Sequence, residues 1–229
     1  MCAWTGAAAF LASLLVFLYL YGITYGRVSA ASPAGPAVID ILLFSLFALH
    51  HSLLARASLK RRVTRLVPHW LERSAFTWVA SLLFLIVCMA WQPVDGLWYS
   101  LSGMWRLVGY TAQLVGIVLV LAGAGAIDML ELAGVRQVLD ARSDSPRRQS
   151  GLKTSGVYGL VRHPVYFGWT LFVFGTPSMT GTRALFAIVS TLYLAIAIRF
   201  EERSLVDMFG EAYQQYQHAT RWKMLPGIW

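Results

Sequence analysis

The chain has 229 residues, 57% of them hydrophobic and only 13% charged, against roughly 25% charged in a soluble globular domain, so it cannot clothe a water-facing surface and needs lipid around it. Its two cysteines, Cys2 and Cys88, lie far apart in or beside apolar runs, which excludes a disulfide framework and offers no metal-ligand spacing. The net charge of +8 comes without the module or aromatic platform that nucleic-acid binding needs, so no nucleic-acid partner is expected.

The length suits one domain of five or six spans at about 20 residues each. An apolar run over Trp4–Tyr25 precedes small residues (VSAASPA, 28–34), the outline of a signal peptide. No Lys or Arg comes before it, and it is long for a signal h-region, so it is expected to stay as a first span. Spans over Ala37–Leu54, Ser74–Trp91 and Met104–Ile127 follow, then a polar stretch over 128–163. The next apolar piece, Val165–Pro177, is too short to cross a bilayer upright. With Thr182–Phe200 it predicts a helical hairpin turning at TPSMTG (176–181), its first arm tilted or partly inserted. The tail, Glu201–Trp229, is amphipathic and aromatic. The expected fold is all-α: a polytopic membrane protein of four spans plus a C-terminal hairpin, five to six membrane helices in all. It forms a single membrane domain over 1–229, with a four-span part (1–127) and a polar-loop, hairpin and tail part (128–229).

Orientation follows from Lys and Arg. Arg56, Lys60, Arg61, Arg62, Arg65 and Arg73 fall in one loop; Arg136, Arg142, Arg147, Arg148, Lys153 and Arg162 fall in another. Arg199, Arg203, Arg221 and Lys223 fall in the tail, which leaves only Arg27, Arg106 and Arg183 for the other side. Both termini and both basic loops are therefore expected in the cytoplasm, in an inner-membrane protein attracted to anionic lipid. Gly109, Gly116 and Gly123 recur at seven-residue spacing on one helix face, which reads as close helix packing or as room for a bulky ligand.

Two stretches carry chemistry. In TSGVYGLVRHPVYFGW (154–169), Pro164 marks a first helical turn, which puts Arg162 and His163 beside a helix N-terminus at the membrane surface. Free N–H groups and a positive dipole end suit an anion there, and Tyr158, Tyr166 and Trp169 add faces that suit a cation such as a sulfonium. Singly these residues also read as interfacial anchors; together they describe a site for a small zwitterion with an aromatic part. In RFEERSLVDMFGEAYQQY (199–216), Glu201 and Glu202 are expected at the C-terminal end of the last span, where the dipole opposes an acid. They read either as exposed ion pairs to Arg199 or Arg203, or as an acceptor for an amine or a ribose hydroxyl. His50 and His51 end the second span and are functional candidates on that ground, a buried neutral imidazole being the alternative; Asp40 sits deeper.

RHPVYFGW followed after a hairpin by EERSLVDMFGEAYQQY resembles the isoprenylcysteine carboxyl methyltransferase family of membrane enzymes over about 151–226. FALHHSLLAR (47–56), VPHWLERSAFTWVAS (67–81) and GVRQV (134–138) resemble a narrower branch, the bacterial methanethiol S-methyltransferases and NnrU-like proteins. The resemblance implies S-adenosyl-L-methionine as cofactor, with Gly151, Leu152, Lys153, Tyr158, His163, Pro164, Tyr166 and Glu201 at cofactor-binding positions, and with no metal. The prenylcysteine enzymes hold the substrate carboxyl with an arginine one turn before the acid; here that position is Ala197 and the nearest arginine is Arg199. This favours a small hydrophobic thiol, methanethiol giving dimethyl sulfide, with Arg162, Arg199 or His51 helping to favour the thiolate. The alternatives are a prenylcysteine or lipid-like acceptor and a non-catalytic NnrU-type membrane protein.

Overall fold

A computed structural model describes residues 2–29, 35–54, 67–68, 70–127, 135–140 and 151–229. Arg56, Lys60, Arg61, Arg62, Arg65, Arg142, Arg147 and Arg148, on which much of the charge asymmetry rests, lie outside the described residues. In chain order the elements are α1 (Cys2–Tyr19), running into a π-helical turn (Leu20–Thr24), α2 (Gly35–Leu54), α3 (Glu72–Ala90), β1 (Leu97–Ser100), α4 (Met104–Ile127) and α5 (Val135–Asp140). There follow α6 (Val157–Leu160), α7 (Pro164–Phe174), β2 (Ser178–Thr180), α8 (Gly181–Phe209) and α9 (Glu211–Ala219). The chain divides into two compact units, Met1–Gly96 with Asp128–Arg148, and Leu97–Ile127 with Gln149–Trp229.

Among the described residues five segments are long and apolar enough to cross a membrane. Ala3–Thr24, Gly35–Ser52 and Glu72–Ala90 belong to the first unit, Met104–Ile127 and Gly181–Phe209 to the second, and Pro164–Phe174 is a shorter apolar helix. Their outward faces are apolar, with Leu15 and Leu42 67% and 64% exposed, as a lipid solvent requires. The chain is a polytopic α-helical membrane protein.

In the first unit α3 packs against both α1 and α2. The Phe17, Tyr21 and Phe84 rings meet at their centre, and the Tyr25 hydroxyl donates to the Cys88 carbonyl at 2.5 Å. Asp40 is fully buried and accepts the Gln92 N–H at 2.8 Å, which ties α2 to the chain leaving α3. His50 and His51 both lie against the Phe76 ring, at 5.7 and 5.3 Å between centroids.

In the second unit the glycine stripe is a packing surface. A Cβ on Gly116 would stand 2.5 Å from the Gly168 carbonyl oxygen and 2.8 Å from the Phe172 nitrogen of α7. Gly109 faces the Gly175 carbonyl and Gly123 faces Val165 at the same 2.8 Å. With no side chains between them, α4 and α7 approach backbone to backbone, and Gln113 reaches across to the Phe172 carbonyl at 3.2 Å.

Two features depart from the sequence expectation. The turn expected at 176–181 contains a strand, β2, which pairs antiparallel with β1 and so adds one short ribbon to an otherwise helical fold. Pairing satisfies the backbone N–H and C=O groups of the turn residues that no helix serves. The last helix also does not stop at Phe200. Its N-cap is Thr180, whose hydroxyl accepts the Arg183 N–H, and it continues to Phe209, where Gly210 at φ 56 permits the turn into α9.

Candidate active site

All of the site described here is built within the second unit. Val161 leaves α6 extended, and the next two residues dock on the tail as a short backbone pairing: the Arg162 N–H donates to the Trp222 carbonyl at 2.9 Å and the His163 N–H to the Lys223 carbonyl at 2.8 Å. His163 is the N-cap of α7, with Pro164 in the first helical turn, as the sequence predicts. This entry turns the Arg162 and His163 side chains toward α8, where Glu201 and Glu202 wait.

Arg162 Nε donates to Glu202 Oε1 at 2.7 Å, and Nη1 donates to the Thr220 and Arg221 carbonyls at 2.7 and 2.9 Å. The two side chains are only 5% and 10% exposed. A second cation, Lys223, stands 3.7 Å from Glu202 Oε2. These bonds correct two expectations. Glu202 pairs with Arg162 rather than with Arg199 or Arg203, and the pair is buried rather than exposed. Since α8 continues for two turns beyond the acids, they also escape the unfavourable C-terminal end of the dipole, whose influence fades within the last turn.

His163 lies between the two acids. Its Nδ1 is 3.5 Å from Glu201 Oε2 and its Nε2 is 3.5 Å from Glu202 Oε1. Burial alone would lower its pKa; the hydrogen-bonding and charge of Glu201 and Glu202 outweigh burial and hold it above the ordinary histidine value. The Tyr166 ring stacks on the imidazole, centroids 5.4 Å apart and planes 13° apart, and the Tyr166 hydroxyl donates to Glu201 Oε2 at 2.9 Å. The Glu201 side chain is 44% exposed, so one carboxylate is locked on its inner oxygen and open on the outside. Trp169, one turn further on, donates from Nε1 to the buried Ser190 hydroxyl at 3.0 Å and fastens α7 to α8.

The structure therefore brings His163, Pro164, Tyr166 and Glu201 together, with Arg162 bound to the neighbouring acid. Tyr158 stands near enough to feel the Glu201 charge, and the remaining candidates stand elsewhere. Tyr158 is buried, with its hydroxyl donating to the Gly123 carbonyl at 3.2 Å and its own carbonyl accepting from the Tyr216 hydroxyl at 2.6 Å. Leu152 packs on the same cluster, whereas Gly151 and Lys153 are exposed. Arg199, two residues before Glu201, points about 200° away from it on a helix of 3.6 residues per turn. His51 belongs to the first unit. Among the described residues no group of three or more His, Cys, Asp or Glu could hold a metal ion.

Sequence reasoning passed over Tyr213 and Tyr216, although both stand in the quoted EAYQQY. They are buried on α9 and close a tyrosine cluster with Tyr158, with rings 5.7 Å apart. Their three-residue spacing on an amphipathic helix was the available signal. The Tyr213 hydroxyl is buried without a hydrogen-bond partner among the described residues. Lys223 and the carbonyls of 220–223 were also missed, because a backbone acceptor leaves no mark in the sequence.

A family model described as phospholipid methyltransferase matches residues 105–212, from the first turn of α4 into α9, and includes His163, Tyr166, Glu201 and Glu202. Methanethiol S-methyltransferase of Pseudomonas deceptionensis is 34% identical over 181 residues, covering 79% of this chain and 69% of that protein. Methanethiol S-methyltransferase 1 of Bradyrhizobium diazoefficiens is 34% identical over 93% of this chain and 78% of its own length. The protein of the same name from Mycobacterium tuberculosis is 34% identical over 93% of this chain and 91% of its own. No solved structure matches the chain. Identity at this level, spread over both compact units and over most of each relative, assigns the chain to the methanethiol S-methyltransferase family of membrane methyltransferases.

Proposed function

We propose that the protein transfers a methyl group from S-adenosyl-L-methionine to methanethiol, giving dimethyl sulfide. The observation that carries this reading is the near full-length similarity to proteins of that activity. It is supported by a site whose donors and acceptors suit the cofactor. The exposed side of Glu201 can accept from an amine or a ribose hydroxyl, while Tyr166 and His163 hold the inner oxygen and fix the carboxylate's direction. The stacked His163–Tyr166 pair offers an aromatic edge beside it. Once bound, the cofactor supplies a methyl on a sulfonium sulfur; the protein contributes alignment and electrostatics.

The acceptor must react as a thiolate. A cysteine thiol has a pKa near 8.5, and an alkyl thiol without polar substituents lies higher, so positive charge near the acceptor helps. His163, held above its usual pKa, and Arg162, bound to the same Glu202 oxygen, supply positive charge in this unit. Arg199 and His51, on another face of α8 and in the other unit, are not assigned contact with the acceptor. On the Lys/Arg asymmetry, both termini are proposed to lie in the cytoplasm, so that the site reaches cytosolic cofactor.

The test is headspace gas analysis of bacteria expressing the chain and fed methanethiol. Dimethyl sulfide above the vector control supports the proposal; its absence, with the protein present in the membrane fraction, refutes it. The phospholipid methyltransferase match favours one rival, an amino-lipid acceptor. A panel of acceptors with methyl-labelled cofactor separates the two, since label entering the lipid fraction and not the headspace would mean the acceptor is a lipid.

A further inference from the structure

Arg199 and Arg203 stand one turn apart on the face of α8 that also carries Glu202 and Val206. With Gln217 of α9 and Lys223 of the tail they line an open cleft of ≈ 530 Å³. Neither arginine has a hydrogen-bond or ion-pair partner among the described residues. Glu202 is already bound by Arg162 and Lys223, which leaves Asp207 as the one uncompensated acid on the wall, against two free guanidinium groups. The cleft is cationic, and it faces away from Glu201.

The surroundings say what class of anion belongs there. After Arg183 in its first turn, α8 carries no charge up to the buried Ile198 and becomes charged again at Arg199. On α8, Phe200 and Met208 are 43% and 72% exposed, and in the tail that carries Lys223, Trp222 and Ile228 are 39% and 78% exposed. Large apolar groups left outside on the same helix and tail as these cations, past the end of an apolar run, belong at the boundary between acyl chains and headgroups. Arginine's planar fork matches a phosphate's oxygens in two places at once.

We propose that this cleft holds the phosphate of an anionic phospholipid headgroup, of the phosphatidylglycerol class, and so fastens the cytoplasmic end of α8, α9 and the tail to the bilayer surface. This rests on the membrane fold and not on the methyl-transfer reading.

Native mass spectrometry of the full chain, released from detergent with phosphatidylglycerol or phosphatidylcholine added, reads the binding. At roughly a factor of five per arginine near a membrane surface, Arg199→Gln/Arg203→Gln should weaken phosphatidylglycerol binding about thirtyfold. Phosphatidylcholine binding should stay unchanged, and Arg199→Lys/Arg203→Lys, which keeps the charge and loses the planar fork, should bind phosphatidylglycerol between the parent and the glutamine variant. Both side chains are exposed and unpaired, so the variants should fold, which the melting temperature checks. Unchanged phosphatidylglycerol binding in the glutamine variant overturns the proposal. Displacement of the lipid by an equal concentration of inorganic phosphate overturns it in favour of a soluble anion. Loss of S-adenosylhomocysteine binding in that variant with lipid binding intact overturns it too, by giving the cleft to the cofactor.

Discussion

Adjacent acids with opposite roles make the sharpest test of the site. Glu202→Gln removes the charge from a carboxylate that three cationic groups surround: Arg162 at 2.7 Å, His163 at 3.5 Å and Lys223 at 3.7 Å. The Arg162 side chain, 5% exposed, would keep only the Thr220 and Arg221 carbonyls. Removing one partner of a buried pair typically costs about 3–5 kcal/mol. Glutamine still offers one acceptor oxygen, so the lower end, about 3 kcal/mol, is expected, or a fall in melting temperature of roughly 6–12 °C for a chain of this size. Arg162→Met/Glu202→Met should recover much of that loss, because neither charge is then left buried alone. Glu201→Gln should behave differently. Its side chain is 44% exposed, and its charge is held by Tyr166 and His163 rather than by a buried guanidinium. Loss of a charge-assisted hydrogen bond, about 1.5–3 kcal/mol, would weaken S-adenosylhomocysteine binding tenfold or more, with a smaller fall in melting temperature than in Glu202→Gln. Differential scanning fluorimetry and calorimetry on the same detergent-purified samples read both quantities. A Glu202→Gln variant that melts like the parent and has lost the cofactor, beside a Glu201→Gln variant that binds normally, would refute the reasoning and shift the register by one residue.

Other outcomes follow from the same geometry. Gly116→Ala should abolish or severely destabilise the fold, since the new methyl meets backbone atoms at 2.5 and 2.8 Å and overpacking costs about 1–3 kcal/mol or more; Gly125→Ala, with open space around it, should be neutral or stabilising by up to about 1 kcal/mol. His163 has a folded-state pKa above its unfolded value, so its contribution to stability is complete below about pH 6.5 and is lost as pH rises through the higher folded value. Melting temperatures should therefore fall across that window in the parent and not in His163→Gln; an identical pH profile in both would remove the claim. In a background without native cysteines, Ser143→Cys should be shielded from an impermeant thiol reagent added to intact cells and Ser178→Cys should be labelled; the reverse pattern overturns the cytoplasmic placement of the site.

How far the sequence could be read depended on whether a feature is local. The span expected over Met104–Ile127 matches α4 to the residue because its apolar run and its flanks agree, and of the two readings of the Gly109–Gly116–Gly123 spacing the structure shows close packing. The RHP segment announced its helix start because proline at a first turn is a local constraint. What the sequence could not show was who faces whom. Glu202 reads as an exposed acid near two arginines of its own helix, Arg199 and Arg203. Its actual partner stands 40 residues earlier, brought in by backbone pairing between 162–163 and 222–223 that no side-chain pattern encodes. The helix end was misjudged for a related reason. Hydropathy falls at Phe200, whereas helical hydrogen bonding ignores hydropathy and continues to Gly210, where the backbone conformation changes. The consequence reaches the chemistry. Because α8 continues past the apolar run, its acids stand within the helix instead of at a fraying end, and a half-turn separates Glu201 from the arginines of the cationic cleft. One helix thus presents an acceptor to one side and two free guanidinium groups to the other, so a cofactor and an anionic headgroup need not compete for it.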